Sequence, residues 1–84
     1  MAVRVLYFAA LRDALPLAEE SVALPAGVET MAALRAWLGA RGEAWAPLVT
    51  WKTLRCARNQ TLCAWDEPVR DGDEVAFFPP VTGG

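Results

Sequence analysis

The sequence predicts an α+β fold in which a small sheet packs on one main helix. Strand-like and helix-like patterns follow one another in the order strand, short helix, strand, long helix and three short strands. The long helical pattern has apolar residues at helical spacing over several turns. The 84 residues are 55% apolar and 21% charged, a composition that supports one packed core and is unlike that of disordered chains.

The first two elements are a strand and a short helix. Residues 3–8 alternate between two faces, with the odd-numbered residues on one face, and are rich in β-branched and aromatic side chains. Residues 9–15 are good helix formers, and Leu11 and Leu15 lie at helical spacing. Pro16 disfavours helical geometry at the residue before it, so we expect this helix to end there.

A second strand and the main helix come next. Residues 19–24 alternate again, and Pro25-Ala26-Gly27 supplies a turn. Thr30 is a good N-cap for a helix that extends to about Arg41, because the apolar residues that follow it fall on one face. Residues 43–51 carry two tryptophans around a proline and predict an irregular or single-turn connector.

The last part of the chain predicts three short strands. Residues 54–58 and 61–64 are joined at Asn59-Gln60, which favours a tight hairpin turn because asparagine tolerates positive φ. Asp71-Gly72-Asp73 predicts another sharp turn before a strand over residues 74–78. These patterns predict α+β; if the first and last strands were central neighbours, the fold would be a β-grasp.

Composition argues against several classes of site. The chain has no histidine, and Cys56 and Cys63 alone cannot form a closed zinc site or a four-thiolate cluster, so we expect no bound metal and no bound cofactor. A disulfide between the two is an alternative, but two small buried side chains in a reducing compartment are favoured. The net charge is −2, and Lys52, Arg55 and Arg58 form only a short band, so nucleic acid is not an expected partner. The band is best explained as a solvated strand face, and a docking patch for an acidic partner is the alternative.

The chain carries no sign of membrane insertion or export. Its first residues lack the basic start and apolar centre of a signal peptide, and no run approaches the ~20 apolar residues that span a bilayer. We therefore expect a soluble, cytoplasmic protein without a membrane partner. Residues 1–84 are expected to form one domain, with residues 79–84 as a projecting C-terminal tail.

The C-terminal residues "AFFPPVTGG" predict a tail built for chemistry at its end. Pro79 and Pro80 favour a stiff, extended start, and the residues beyond them can reach about 13 Å when extended. Gly83 and Gly84 have no Cβ, so a narrow channel could close around them and leave the terminal carboxylate accessible. Once activated as an acyl-adenylate, that carboxylate could become a thiocarboxylate. From the residues alone, an inert chain end is an equally good interpretation.

Three motifs give the chain a family resemblance: "VLYFAALRDAL", "RNQTL" and "DGDEVAFFPPVTGG". It resembles the small, sulfur-carrying subunit of molybdopterin synthase, a ubiquitin-like β-grasp protein. The resemblance implies that an E1-like enzyme adenylates Gly84 with ATP and that a sulfurtransferase or cysteine desulfurase system converts it to a thiocarboxylate. The sulfur would pass to cyclic pyranopterin monophosphate within a heterotetramer of two small and two large subunits. The catalytic groups would then lie on the large subunit, and this chain would be a non-catalytic subunit.

The resemblance also implies which residues act. The expected partner-binding residues are Phe8, Arg12, Leu62, Phe78, Pro79, Pro80, Val81 and Thr82, and the reacting end is Gly83 and Gly84. Without the resemblance, the three apolar side chains outside the tail could equally belong to the core and Arg12 could be a solvated helix residue. Cys56 and Arg58 stand where relatives usually keep small apolar residues, so the docking chemistry of that hairpin is expected to differ.

Three other functions stay open on the sequence. The same fold and Gly-Gly end would serve a sulfur carrier for thiazole or another product. They would also serve a ubiquitin-like modifier that joins Gly84 to lysines. A plain interaction domain with an inert tail is the third alternative.

Overall fold

The computed structural model describes residues 2–80. Its strands are β1 (Val3–Tyr7), β2 (Glu19–Val22), β3 (Arg55–Arg58), β4 (Thr61–Cys63) and β5 (Glu74–Phe78). Its helices are α1 (Ala9–Ala14), α2 (Met31–Gly39) and α3 (Pro47–Thr50), and a 3₁₀ turn spans Glu43–Trp45. The elements occur in the order that the sequence predicts.

The five strands form one mixed sheet in the order β2-β1-β5-β3-β4. The central strands β1 and β5 run parallel, with Val5 opposite Val75 and Tyr7 opposite Phe77. The other three pairings are antiparallel. First and last strands as central neighbours, with α2 packed on one face, are the features of a β-grasp fold, which confirms the predicted fold class.

The hydrophobic core lies between the sheet and α2. The core comprises Val3, Val5, Tyr7, Leu11, Leu15, Val22, Met31, Leu34, Leu38, Leu48, Leu54, Cys56, Val69, Val75 and Phe77. The odd-numbered residues of β1 and β5 are buried, while their even-numbered neighbours face the other side of the sheet. The structure therefore shows which of the two faces predicted for residues 3–8 belongs to the core, and the same parity holds in β5.

The ends of the helices follow local chemistry. Thr30 caps α2, since its Oγ1 accepts a hydrogen bond from the amide of Ala33 at 3.1 Å. This helix ends at Gly39, two residues before the predicted end at Arg41. Gly39 lies against Val49 of α3 so closely that an added Cβ would be 2.5 Å from a Val49 methyl carbon. A side chain there would require the Val49 side chain to move.

The connector over residues 43–51 forms the 3₁₀ turn and α3, in agreement with the predicted single turn. Arg35 of α2 ties it to the main helix by donating hydrogen bonds to the carbonyls of Leu48 and Trp51. The Arg35 guanidinium also lies 4.6 Å from the centre of the Trp65 ring. These contacts fix the connector over one edge of the core.

A polar network joins β1 and β2 to Arg41, which lies two residues after the end of α2. The Tyr7 hydroxyl donates to Glu20 at 2.7 Å, and Arg41 donates to both oxygens of the same carboxylate at 2.8 and 2.7 Å. Arg41 also lies 3.9 Å from the centre of the Trp45 ring. The Arg41 hydrogen bonds lower the pKa of Glu20, and burial is the main cause that raises the pKa of Tyr7.

Among the helices within residues 2–80, none has the length and apolar character needed to cross a bilayer.

Candidate functional site

An apolar patch lies on the face of the sheet that points away from α2, beside the ion pairs of Arg4 with Glu19 and Glu74. Phe8 and Leu62 are 45% and 70% exposed, which is unusual for large apolar side chains. Phe78 is half-buried between them, and the three residues line one shallow pocket of about 550 Å³. We call this surface, made of Leu6, Phe8, Ala57, Leu62, Ala76 and Phe78, the apolar face.

Phe8 is held in place by the junction between β1 and α1. Its amide donates to the carbonyl of Phe77 at 3.2 Å, so the residue continues the parallel ladder beside β5. Its own carbonyl accepts from the amide of Arg12 at 3.3 Å in the first turn of α1. Ala9 has a φ of 57°, in the left-handed region that alanine rarely adopts. The left-handed conformation of Ala9 allows α1 to begin immediately after Phe8.

Leu62 is presented by a tight hairpin. Asn59 and Gln60 have φ values of 50° and 69°. A two-residue hairpin loop with a type I′ turn requires positive φ at both of its central residues. Leu62 lies opposite Ala57 in the β3–β4 register. The amide of Asn59 donates to the carbonyl of Glu74 at 2.7 Å, and the Glu74 amide donates to the Asn59 side chain at 3.0 Å. The hairpin is thereby joined to the start of β5.

Arg58 corrects an expectation from the sequence. Its guanidinium pairs with Asp73 at 2.7 Å and with Glu67 at 3.1 Å, so it does not form a solvated band with Lys52 and Arg55. The pairing arises because the turn that precedes β5 places Asp73 beside the end of β3. The hydrogen bond from Arg58 is the main cause that lowers the pKa of Asp73. Arg58 thus reinforces the hairpin that presents Leu62.

β5 leads from the apolar face to the base of the tail. Phe78 lies opposite Arg55 at the end of the β3–β5 ladder, and Pro79 and Pro80 follow. Phe78 and Pro80 also line a second pocket of about 560 Å³ that reaches Trp65. The predicted tail residues Val81, Thr82, Gly83 and Gly84 lie outside the described part of the chain.

The structure brings three of the predicted site residues together. Phe8, Leu62 and Phe78 share the apolar face, whereas Arg12 is exposed on α1, one turn after Phe8. Among residues 2–80, no carboxylate lies within ion-pair distance of Arg12. The roles of these residues in binding stay predictions.

Sequence reasoning missed three further apolar residues that complete this surface. Leu6, Ala57 and Ala76 line the same pocket as Phe8, Leu62 and Phe78. The signal was present in the alternation for Leu6 and Ala76, which stand out of phase with the core residues of β1 and β5, whereas Ala57 follows the buried Cys56 and is itself buried.

The cysteines also differ in part from expectation. Cys56 is buried as predicted, but Cys63 on the edge strand β4 is only half-buried. Both thiols are free, and their sulfurs are 3.7 Å apart. Burial is the main cause that raises the pKa of Cys56 to about 12.

The chemistry available on the apolar face is binding. Within residues 2–80, no group of three or more histidine, cysteine, aspartate or glutamate side chains is placed to hold a metal ion. The polar side chains at this pocket are Gln60 and Glu74 at its rim. A continuous apolar surface with a polar rim is the usual anatomy of a protein–protein interface.

Comparison with known proteins relates this geometry to a family. The model of the ThiS family matches residues 5–84. The molybdopterin synthase sulfur carrier subunit of Escherichia coli is 45% identical over 82 residues, which cover 98% of this chain and 99% of the relative. The protein of the same name from Haemophilus influenzae is 39% identical, with the same coverage of both chains.

Solved structures give the same relationship. The putative molybdopterin converting factor subunit 1 of Pyrococcus furiosus has a TM-score of 0.75 and 31% identity, covering 96% of this chain and 99% of the other. The small archaeal modifier protein 1 of Haloferax volcanii has a TM-score of 0.72 and 27% identity, with 95% and 98% covered. A complex of subunits 1 and 2 of the molybdopterin-converting factor from Helicobacter pylori contains a chain with a TM-score of 0.66 and 27% identity, with both chains fully covered. The chain belongs to the ThiS family, has the β-grasp fold, and is similar over nearly its full length to molybdopterin synthase sulfur carrier subunits.

Proposed function

We propose that this chain is the sulfur-carrying small subunit of a molybdopterin synthase, and that its apolar face docks on the large subunit. The observation that carries the proposal is the continuity of the apolar face with the tail. Phe8, Leu62 and Phe78 form one exposed surface, and the last of them is followed directly by Pro79 and Pro80. A partner that covers this surface would therefore receive the tail as well.

The proposed chemistry takes place at Gly84. An E1-like enzyme would transfer AMP from ATP to the terminal carboxylate, with pyrophosphate as the leaving group. A sulfurtransferase or cysteine desulfurase would supply sulfur that displaces AMP, which leaves a thiocarboxylate. ATP would be bound by the activating enzyme and not by this chain. The catalytic groups would belong to the enzymes that receive the tail.

The proposed acceptor is cyclic pyranopterin monophosphate bound to the large subunit. Two successive deliveries of sulfur would build the dithiolene of molybdopterin. The Helicobacter pylori structure is a complex of subunits 1 and 2 of the molybdopterin-converting factor, which supports a large-subunit partner for this chain. Two copies of each subunit would form the heterotetramer.

The intact mass of the chain tests the activation step. Incubation with an E1-like enzyme, ATP and a sulfide source should raise the mass by about 16 Da, as sulfur replaces one oxygen. A chain that lacks Gly83 and Gly84 is the matched control and should keep its mass. If the full-length chain also keeps its mass while a known carrier is converted in the same mixture, the proposed thiocarboxylate is refuted.

A ubiquitin-like modifier is a second candidate function, favoured by the similarity to the small archaeal modifier protein 1. That role would join Gly84 to lysines of other proteins, and conjugate ladders on denaturing gels would reveal it. A sulfur carrier for thiazole or another product would also gain about 16 Da, so the mass does not exclude it. Recovery of a molybdopterin synthase large subunit with the tagged chain would separate the two carriers.

A further inference from the structure

The two cysteines form a paired site that the proposed docking role does not use. Cys56 of β3 lies directly opposite Cys63 of β4 in the antiparallel register. Residues directly opposite in such a pair have Cα atoms about 4.5–5.5 Å apart, within the range that a disulfide spans. Their sulfurs are 3.7 Å apart, and both thiols are free. A disulfide needs the sulfurs at about 2.05 Å, so bond formation requires a shift of less than about 2 Å.

We propose that Cys56 and Cys63 are a dithiol site that small-molecule disulfides, of the glutathione disulfide class, oxidise to an intramolecular disulfide. The two thiols differ in access. Cys56 is buried, whereas Cys63 is half-buried on an edge strand. Both line the pocket of about 560 Å³ that also contains Leu62 and Phe78, so a small reagent can approach Cys63 from this pocket.

The reaction proceeds by two thiol–disulfide exchanges. The Cys63 thiolate attacks one sulfur of the reagent, forms a mixed disulfide and releases one reagent thiolate. The Cys56 thiolate then attacks the Cys63 sulfur and releases the second reagent thiolate. The two protons of the protein thiols are taken up by the released thiolates, so the chain loses two electrons and one reagent disulfide is reduced to two thiols. Cys63 reacts first because Cys56 is buried and the reagent cannot reach its sulfur directly.

The bond would restrain the strand that presents Leu62. β4 has three residues and lies at the edge of the sheet, where β3 is its neighbour. A covalent link from Cys63 to Cys56 fixes the register of the β3–β4 hairpin. Oxidation should therefore slow amide hydrogen exchange in β4 while β1 and β5, at the centre of the sheet, stay unchanged.

The test uses the folded, reduced full-length chain and glutathione disulfide. The product expected by intact mass is a monomer lighter by about 2 Da that no longer reacts with an alkylating reagent. Cys56→Ala should stop at a mixed disulfide heavier by about 305 Da, and Cys63→Ala should react more slowly than Cys56→Ala. A wild-type chain that stays reduced, stops at the mixed disulfide or forms a disulfide-linked dimer overturns the proposal.

A control variant tests whether disulfide formation depends on the cross-strand register or only on the short separation of the two cysteines in the sequence. The double variant Cys56→Ala with Ala57→Cys keeps two cysteines in the same hairpin but places them on opposite faces of the sheet. This variant should accumulate the mixed disulfide and form the intramolecular bond at least tenfold more slowly than the wild type, while both chains unfolded in denaturant should close at similar rates. Equal closure rates for the two folded chains would show that the cross-strand register is not the cause.

Discussion

Shortening Leu62 to alanine should weaken binding to the large subunit without unfolding the chain. Leu62 is 70% exposed, so most of its side chain is in water in the free chain and becomes available for burial by a partner. Full burial of a leucine side chain contributes about 1.5–3 kcal/mol, and the exposed fraction therefore corresponds to roughly 1–2 kcal/mol. That loss corresponds to a dissociation constant about 5–30-fold higher.

Leu17 provides a matched control, because it is 46% exposed but lines neither of the two pockets at the apolar face. Leu17→Ala should bind the large subunit with unchanged affinity. Isothermal titration calorimetry measures both dissociation constants, and thermal unfolding checks that each variant remains folded. The reasoning is refuted if Leu62→Ala binds within twofold of the wild type, or if Leu17→Ala weakens binding as much as Leu62→Ala does.

Three further predictions concern stability. Thr30→Ala removes the N-cap of α2 and should lower the free energy of unfolding by about 1 kcal/mol in urea titrations, whereas Thr30→Ser should largely preserve it. Gly39→Ala places a Cβ against Val49 and should cost about 1–3 kcal/mol in the same assay; an unchanged or higher stability would contradict the close packing. The pKa of Asp73 is lowered by its hydrogen bond from Arg58, so its stabilising contribution is present above the ordinary aspartate pKa and is lost as the pH falls through the lowered value. The stability difference between wild type and Asp73→Asn should therefore shrink from about pH 5 downwards, and a difference that is constant with pH would refute the ion pair.

Local patterns in the sequence were sufficient to predict the helices and strands and the two faces of the first strand. The alternation in residues 3–8 separated the two faces of the first strand, because side-chain direction in a strand depends only on position parity, but it did not state which face is buried. Thr30 and Asn59-Gln60 identified a helix start and a hairpin turn, since both depend on neighbouring backbone groups. The exposed positions of Phe8 and Leu62 follow from the same alternation once the core face is known.

Relations between distant residues could not be obtained from these patterns. A strand pattern does not state which strand lies beside it, so the placement of the first and last strands as neighbours rested on the family resemblance. Arg58 was assigned to a solvated face because its partners Asp73 and Glu67 are 15 and 9 residues away in the chain. Cys63 was expected in the core, yet it is half-buried because β4 is a short strand at the sheet edge.

Transfer of sulfur in a single turnover tests the central claim most directly. The chain carrying the thiocarboxylate at Gly84 would be mixed with the large subunit and cyclic pyranopterin monophosphate, and its intact mass would be followed with time. The account predicts that the mass falls by about 16 Da only when both are present, as the carboxylate returns and the pterin gains sulfur. A thiocarboxylate that persists in the complete mixture, while a known carrier is consumed under the same conditions, would contradict the assignment as a molybdopterin synthase sulfur carrier.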